Sequence, residues 1–202
     1  MLVAATCIAA TACGKSKANS ADNLTKEEMQ KRGYAMKFDK GGKTYIFTEK
    51  GHLTRLDIIY EDGLHRIYLV QKNEEGYYSL TYDGEQWVEK EWEAQQRNGN
   101  FRAQQMSDQS KLFLSRGYAQ TGTATVCGKP CTVYAGTYDA GEGRAVSGYD
   151  ELTYKGVQGE FAIWNGFCLR YAKGAEVLFE CKAIKVDIAD EALSQTIDVT
   201  WI

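Results

Sequence analysis

The sequence predicts a mainly β fold of the α+β class: a curved antiparallel sheet, or incomplete β-barrel, with one or two helices covering its concave side. Three observations predict it. Apolar and polar residues alternate over much of the chain, turn pairs such as Asn165-Gly166 separate the alternating runs, and one proline, Pro130, occurs in the whole sequence. Alternation is the spacing of strands, Asn-Gly favours a hairpin turn, and few prolines leave long strands uninterrupted.

The N-terminus indicates export. Residues 1–12 are uncharged and mostly apolar, as in the core of a signal peptide. The next segment, Ala10-Thr11-Ala12-Cys13-Gly14, resembles the lipobox of bacterial lipoproteins. This resemblance implies cleavage before Cys13, lipidation of that cysteine and attachment to a membrane, with residues 13–24 as a flexible polar tether. Under the rules of that family, Gly14 and the absence of an acidic run predict an outer-membrane lipoprotein facing the periplasm.

Residues 25–202 are predicted to form a single β-rich domain, because about 180 residues suffice for one core and are short for two. The net charge is −3, and no basic stripe carries interleaved aromatic residues. Nucleic-acid binding is therefore not expected. No apolar run in this range is long enough for a membrane-spanning helix.

The predicted elements follow in order. Thr25 and Glu28 have capping-box spacing, which predicts a helix from Lys26 to about Arg32. Alternating strands then form an antiparallel meander, with turns at Gly41-Gly42, Lys50-Gly51, Asp62-Gly63 and Asp83-Gly84.

The segment 85–115 carries long polar side chains around Trp87, Val88 and Trp92, which predicts two helical pieces against the sheet. Strands resume at Thr123, and residues 139–150 are expected to be a glycine-rich loop. Turns at Asn165-Gly166 and Gly174-Ala175 predict three consecutive strands, over 160–164, 167–173 and 176–186.

Besides the lipidated Cys13, four cysteines remain after processing: Cys127, Cys131, Cys168 and Cys181. An even number suggests disulfides in an exported protein. If Gly174-Ala175 is a two-residue turn, Cys168 and Cys181 lie directly opposite each other. Their position in the ladder is then a non-hydrogen-bonded pair, with Cα atoms about 4.5 Å apart, which a disulfide accepts. The sequence therefore predicts a Cys168–Cys181 bond.

Cys127 and Cys131 are the remaining pair, and a turn over residues 128–130 would bring them together as a second disulfide. Two alternatives stay open: a redox-active pair, because the motif resembles the thioredoxin Cys-Gly-Pro-Cys with one residue inserted, and a zinc site. The β-prone residues 132–134 disfavour the helix N-terminus that a reactive thiol requires.

No catalytic constellation is evident. His52 and His65 have no partner at ligand spacing and are interpreted as surface or edge histidines. We therefore expect neither an enzyme nor a bound metal or cofactor. The thirteen tyrosines, seven phenylalanines and four tryptophans belong to the core and sheet surface, or else line a cavity.

The C-terminal half resembles uncharacterised Bacteroidetes lipoproteins related to the Lol-type lipoprotein-carrier superfamily. The resemblance extends over 117–202 and rests on Gly128-Lys129-Pro130-Cys131, Phe161-Ala162-Ile163-Trp164 and Leu169, followed by a long strand toward Ile188 and Leu193. It implies a half-barrel with an apolar hollow that holds an acyl chain. Two functions are therefore weighed: binding of an apolar ligand, and an envelope protein-interaction module with a filled interior. A thiol oxidoreductase at Cys127 and Cys131 ranks third.

Overall fold

The computed structural model describes residues 24–102, 106, 110, 114, 117–138, 157–200 and 202. Its elements are as follows: α1 Lys26–Arg32, β1 Tyr34–Lys40, β2 Lys43–Lys50, β3 Leu53–Ile59, β4 His65–Asn73, β5 Gly76–Tyr82, β6 Trp87–Val88, α2 Glu91–Phe101, β7 Ala119–Val126, β8 Lys129–Tyr138, β9 Val157–Trp164, β10 Phe167–Lys173, β11 Glu176–Val186 and a 3₁₀ helix at Asp190–Leu193.

The strands form one open antiparallel sheet in the order β6-β5-β4-β3-β2-β1-β11-β10-β9-β8-β7. Strands β1 to β6 form the predicted meander, and β7 to β11 form a second one. The two meanders join where β11 pairs with β1. This architecture confirms the predicted curved antiparallel sheet with helices, and it leaves β6 and β7 as the two edge strands.

The local signals at the N-terminal helix and at the hairpins are confirmed. The Thr25 side chain accepts a hydrogen bond from the Glu28 amide and the Glu28 carboxylate accepts one from the Thr25 amide, which completes the capping box. The turn residues Asn165 and Gly166 have φ values of 48° and 77°. Both are left-handed, as a tight hairpin turn requires.

The segment after β5 differs from the prediction at its start. Trp87 and Val88 pair with Tyr82 and Thr81 as the edge strand β6, so the expected helix begins only at Glu91. The tight turn at Asp83 returns the chain to the sheet edge before helix formation starts, since the Asp83 side chain accepts hydrogen bonds from two following amides. The second predicted helical piece and the loop at 139–150 lie largely or wholly outside the described residues, as do residues 1–23.

Helix α2 packs on one face of β3, β4 and β5, which we call the covered face. Its buried residues are Ala94, Asn98 and Phe101, at helical spacing. The ring of Phe101 lies 5.6 Å from the ring of Phe47 and 5.7 Å from that of Phe38. The aromatic residues of the described chain therefore belong largely to a packed core that α2 helps to close. Neither helix in the described ranges has the length and apolar character of a membrane span.

The C-terminal segment after β11 crosses the opposite face of the sheet. Ala192 and Ile188 form a small apolar cluster there with Ala35 of β1. The Lys50 amine donates to the Ile188 carbonyl at 3.1 Å and to the Asp190 carboxylate at 2.5 Å. The segment is thereby fixed across β1, β2 and β3.

Candidate functional site

A cavity of about 550 Å³ opens at the end of the covered face, between α1, the turn from β2 to β3, and α2. Its polar lining comes from eight residues: Gln30, Glu49, His52, Thr54, Lys72, Gln95, Asn98 and Arg102. Val70 and Tyr77 contribute apolar surface. The volume suits a small molecule, and the lining is mixed rather than uniformly apolar.

Glu49 is the buried charge of this cavity, with a side chain 2% exposed. Its carboxylate accepts hydrogen bonds from the Tyr34 hydroxyl at 2.5 Å and from Gln30 Nε2 at 3.1 Å, and it pairs with Arg102 Nη2 at 2.7 Å. Burial, and then the negative charge of Glu49, hold the pKa of Tyr34 well above its ordinary value. Glu49 is therefore a fixed anion that organises one wall of the cavity.

Asn98 lies 5% exposed in the opposite wall. Its Nδ2 donates to the Tyr68 carbonyl at 2.8 Å and to the Ala94 carbonyl at 3.2 Å. Its Oδ1 is buried and has no hydrogen-bond donor among the residues that the structure describes. A buried acceptor without a donor is costly, so this position favours a further donor group.

A second group of buried charges lies under the C-terminal segment, on the face opposite the cavity. Arg55 and Asp57 are both fully buried and form a bidentate pair at 2.7 and 2.8 Å. Arg55 also donates to the Ala192 and Ser194 carbonyls. His65 Nε2 lies 2.9 Å from the Asp57 carboxylate and its side chain is 17% exposed. His65 is therefore a half-buried partner of Asp57 in an inner strand, and not the surface or edge histidine that the sequence predicted.

The predicted site residues are only partly brought together. His52 lines the cavity, His65 lies on the other face, and all four cysteines of the domain are unbonded thiols. Among the described residues no cluster of His, Cys, Asp and Glu can hold a metal ion, so zinc finds no ligand set there. Cys131 lies in a strand, and burial raises the pKa of its thiol, which is the reverse of what a reactive nucleophile requires.

The register between β10 and β11 differs from the one used to pair Cys168 with Cys181. Ala172 still faces Val177, but Tyr171 faces Phe179, because Leu178 is an extra residue in β11. The regular pairing of the two strands ends at Arg170 and Glu180, short of both cysteines. That Cys168 and Cys181 lie directly opposite each other therefore stays a prediction.

Strand β7 forms one edge of the sheet. Six of its eight residues are exposed, including the threonines Thr121, Thr123 and Thr125, and none is charged or a proline. Val126 and Lys129 close the turn to β8, so the alternation of an antiparallel ladder directs the backbone N–H and C=O of Thr125 and Thr123 away from β8. These groups face the open edge.

Sequence reasoning missed Glu49, Arg55, Asp57 and Asn98. The alternating pattern placed Arg55 and Asp57 of β3 on a solvated face, because alternation reports one buried face and not two. Glu49 has the spacing of Tyr45 and Phe47 and lies on the buried face with them, where a carboxylate is not expected. One signal in β3 is Ile59, which is two residues from Asp57 and four from Arg55 and so lies on the same face of the strand. An apolar residue on that face indicates that the second face is covered as well.

No protein-family model matches the chain, and no curated protein matches it either. Two solved structures are similar, described as the crystal structure of MucB in complex with MucA(peri) and the complex structure of Pseudomonas aeruginosa MucA/MucB. Each has 14% identity and a TM-score of 0.37, over 85% and 84% of this chain. The chain spans only 57% and 58% of their lengths. A similarity this low says nothing of partner or function, and the Lol-type resemblance stays a prediction.

Proposed function

We propose that this protein is an envelope interaction module, exported and lipid-anchored at Cys13, that binds an extended segment of another envelope protein along β7. The observation that supports it is the edge strand itself. Eight residues without charge or proline leave outward N–H and C=O groups at Thr123 and Thr125. Natural edge strands are guarded by charges, prolines or short length, and an unguarded edge is the geometry used in strand addition.

The packed interior favours a protein partner over an acyl chain. The Phe38 and Phe179 rings stack at 4.5 Å and the Phe179 and Tyr171 rings at 5.3 Å, in line with the contacts of Phe101. Interiors packed in this way do not admit a long alkyl chain without displacing side chains. The mixed lining of the cavity beside α2 is a second argument against an apolar carrier.

The proposed partner is an extended, uncharged segment, because β7 offers backbone hydrogen bonds and short side chains and no charge to complement. Thr123→Pro tests this, since it removes an outward N–H without removing a bond to β8. Thr123→Val is the matched control, because it keeps the N–H and the branched shape.

The experiment starts with a photoreactive residue at Thr121 in the full lipoprotein in living cells, which identifies the contacting envelope protein. The purified pair is then examined by amide hydrogen exchange and by titration. We expect slowed exchange at Thr123 and Thr125, roughly tenfold weaker binding for Thr123→Pro, and unchanged binding for Thr123→Val. Cross-links only to a second copy of this chain, or unchanged exchange along β7, would overturn the proposal.

A second candidate function is the binding of a small polar-headed molecule in the cavity. The unpaired Oδ1 of Asn98 favours it, as do the adjacent cations Arg102 and Lys72. Native mass spectrometry of protein purified from the periplasm tests this directly. A small adduct that is present in the wild type and lost in Asn98→Leu supports the candidate, and a bare mass contradicts it.

A further inference from the structure

The cavity beside α2 has walls that backbone hydrogen bonds hold in place. The amide of Gly51 donates to the Gln30 carbonyl at 2.9 Å, which fixes the turn from β2 to β3 against α1. The amide of Lys72 donates to the His52 carbonyl at 3.1 Å, which fixes the same turn to β4. The cavity is therefore a preformed site, as ligand pockets usually are.

One face of α2 and its C-cap forms a further wall. Gln95, Asn98, Gly99 and Arg102 all line the cavity, and residues three and four apart are neighbours on a helix surface. Glycine destabilises the interior of a helix relative to alanine, so its presence there needs a reason. Close packing is not the reason, because a Cβ atom at Gly99 would meet no atom of the described residues within 4 Å. Gly99 instead leaves space open in the cavity.

Asn98 indicates which chemical group this space suits. It lies in the cavity wall, 5% exposed, and its Oδ1 has no hydrogen-bond donor among the residues that the structure describes. The buried carboxylate of the lining, Glu49, already interacts with three groups: the Tyr34 hydroxyl, Gln30 Nε2 and Arg102 Nη2. Asn98 Oδ1 is therefore the acceptor that an O–H or N–H group of a ligand would satisfy.

The charges of the lining narrow the choice of ligand. Lys72 and Arg102 are cations and Glu49 is an anion, so the described lining residues have a net positive charge. An ammonium group would meet both cations and a carboxylate that is already paired with Arg102. An anionic group would be attracted to the two cations. The lining therefore fits a neutral donor at Asn98 and a negative charge elsewhere on the same molecule.

The uncharged lining favours several hydroxyl groups on a compact ring. Gln95 has an amide and Thr54 a hydroxyl, and both groups donate and accept hydrogen bonds, as sugar hydroxyls do. Tyr77, which is half exposed, adds aromatic surface against which the C–H groups of a sugar ring can pack. This combination of side chains suits a sugar better than an alkyl chain.

We propose that the cavity binds a sugar acid, a ring that carries several hydroxyl groups and one carboxylate. One hydroxyl donates to Asn98 Oδ1, and the carboxylate faces Lys72 and Arg102. The proposal rests on the second candidate function, since it names the ligand class of that site. It is independent of strand addition at β7.

The test titrates the full-length protein, purified in detergent, with D-glucuronate and D-galacturonate by calorimetry. Three further probes each lack one feature: D-glucose has no carboxylate, D-glucosamine has an ammonium group instead, and cyclohexanecarboxylate has no hydroxyls. We expect saturable binding of at least one sugar acid, and binding of each further probe that is weaker by roughly tenfold or more. Binding of neither sugar acid would overturn the proposal, and so would a further probe that binds as tightly as the better sugar acid.

Two variants locate the site. Gly99→Leu fills the cavity and should abolish binding, while its unfolding midpoint stays at or above that of the wild type, because leucine is the better helix former. Lys72→Met removes one cation and should weaken binding of the sugar acid by roughly tenfold. Lys182→Met is the matched control and should bind as the wild type does, since Lys182 lies outside this cavity and pairs with Glu180. Wild-type affinity in Gly99→Leu would place the ligand elsewhere and contradict the proposal.

Native mass spectrometry of the wild type and Gly99→Leu separates failure of the ligand class from failure of the site. An adduct that only the wild type carries, together with no binding of either sugar acid, would keep the second candidate function and overturn the sugar-acid proposal. A bare mass and no binding of either sugar acid would overturn both. The probe series on the wild type decides the ligand class even if Gly99→Leu does not fold.

Discussion

In the part of the chain that the structure describes, three charged side chains are buried, and each has a partner of opposite charge. Arg55 and Asp57 are fully buried, and Glu49 is 2% exposed. Arg55 forms a bidentate pair with Asp57 and also donates hydrogen bonds to two backbone carbonyls. Its N–H donors are therefore directed at acceptors. Such a pair adds little to stability relative to an apolar pair of similar size, but removing one member leaves a buried charge uncompensated.

Asp57→Leu should therefore destabilise the fold strongly. It leaves Arg55 buried without its carboxylate, which typically costs about 3–5 kcal/mol. The double variant Arg55→Met with Asp57→Leu is the control, and it should lose less than the single variant because no charge stays buried. Urea unfolding followed by tryptophan fluorescence measures both. A single variant within about 1 kcal/mol of the wild type would contradict the argument.

Tyr34 predicts a dependence of stability on alkaline pH. Its folded pKa lies above the unfolded value of about 10, because burial and the charge of Glu49 disfavour the phenolate. The contribution of Tyr34 to stability is therefore fully present below a pH of about 10, and it is lost as the pH rises beyond that value. Between roughly pH 9.5 and 11, the unfolding free energy of Tyr34→Phe should therefore decline less steeply than that of the wild type.

The same variant should lose about 1–2 kcal/mol at pH 7, since Glu49 loses a hydrogen-bond donor. The control is Tyr77→Phe, because the Tyr77 ring is 50% exposed and its hydroxyl is not in the core. That change should leave the unfolding free energy at pH 7 within about 0.5 kcal/mol of the wild type. Parallel pH profiles for Tyr34→Phe and the wild type would refute the assignment.

At the scale of helices and strands, residues in turns and helix caps gave the most useful predictions. Capping residues located α1, and Gly-containing pairs located the hairpins, because these residues act through local backbone geometry. Bulges are different. The extra residues Leu169 and Leu178 are ordinary apolar residues, and nothing in the alternation marks them. Their position depends on packing between strands, so the register near Cys168 and Cys181 could not be read from the sequence.

The cavity was unpredictable for a related reason. Gln30 of α1, Glu49 of β2, Lys72 of β4 and Asn98 of α2 are distant in sequence and meet only after the sheet has folded under both helices. None of these residues is marked by the surrounding sequence as part of a site. No spacing rule connects them, in contrast to a metal motif or a nucleophile turn.

Gly136 in β8 lies close against the backbone of residues 117 and 118, which precede β7. A Cβ atom at this position would lie 2.8 Å from the Cα of Tyr118 and 3.2 Å from the carbonyl oxygen of Gly117. These are backbone atoms, so Gly136→Ala must separate the strand from residues 117 and 118, and we expect a loss of about 1–3 kcal/mol.

The matched control for Gly136 is Gly122→Ala in the neighbouring strand β7. A Cβ atom there meets nothing within 4 Å. This substitution should change the unfolding free energy by no more than about 1 kcal/mol. Thermal unfolding of both variants measures the two losses of stability. Equal losses would show that the contact with residues 117 and 118 does not restrict the side chain at position 136.

At the scale of the whole molecule, the C-terminal segment connects the two meanders. It leaves β11 and returns across β1, β2 and β3, where three contacts hold it: Arg32 with Asp187, Lys50 with Asp190, and Arg55 with the carbonyls of residues 192 and 194. The segment therefore covers Arg55 and Asp57 of the first meander with the end of the second. This arrangement favours unfolding of both meanders in one cooperative step.

Under the proposed lipidation, attachment of the whole molecule to the membrane depends on Cys13. Stable anchoring requires two or more acyl chains, which a lipidated N-terminal cysteine provides. Cys13→Ser should therefore lose radiolabelled palmitate completely and move from the membrane pellet to the soluble fraction, while the unfolding midpoint of the domain stays unchanged. Cys127→Ser is the control and should keep the label. A Cys13→Ser protein that still carries palmitate, or still sediments with membranes at high salt, would show that another segment makes the attachment.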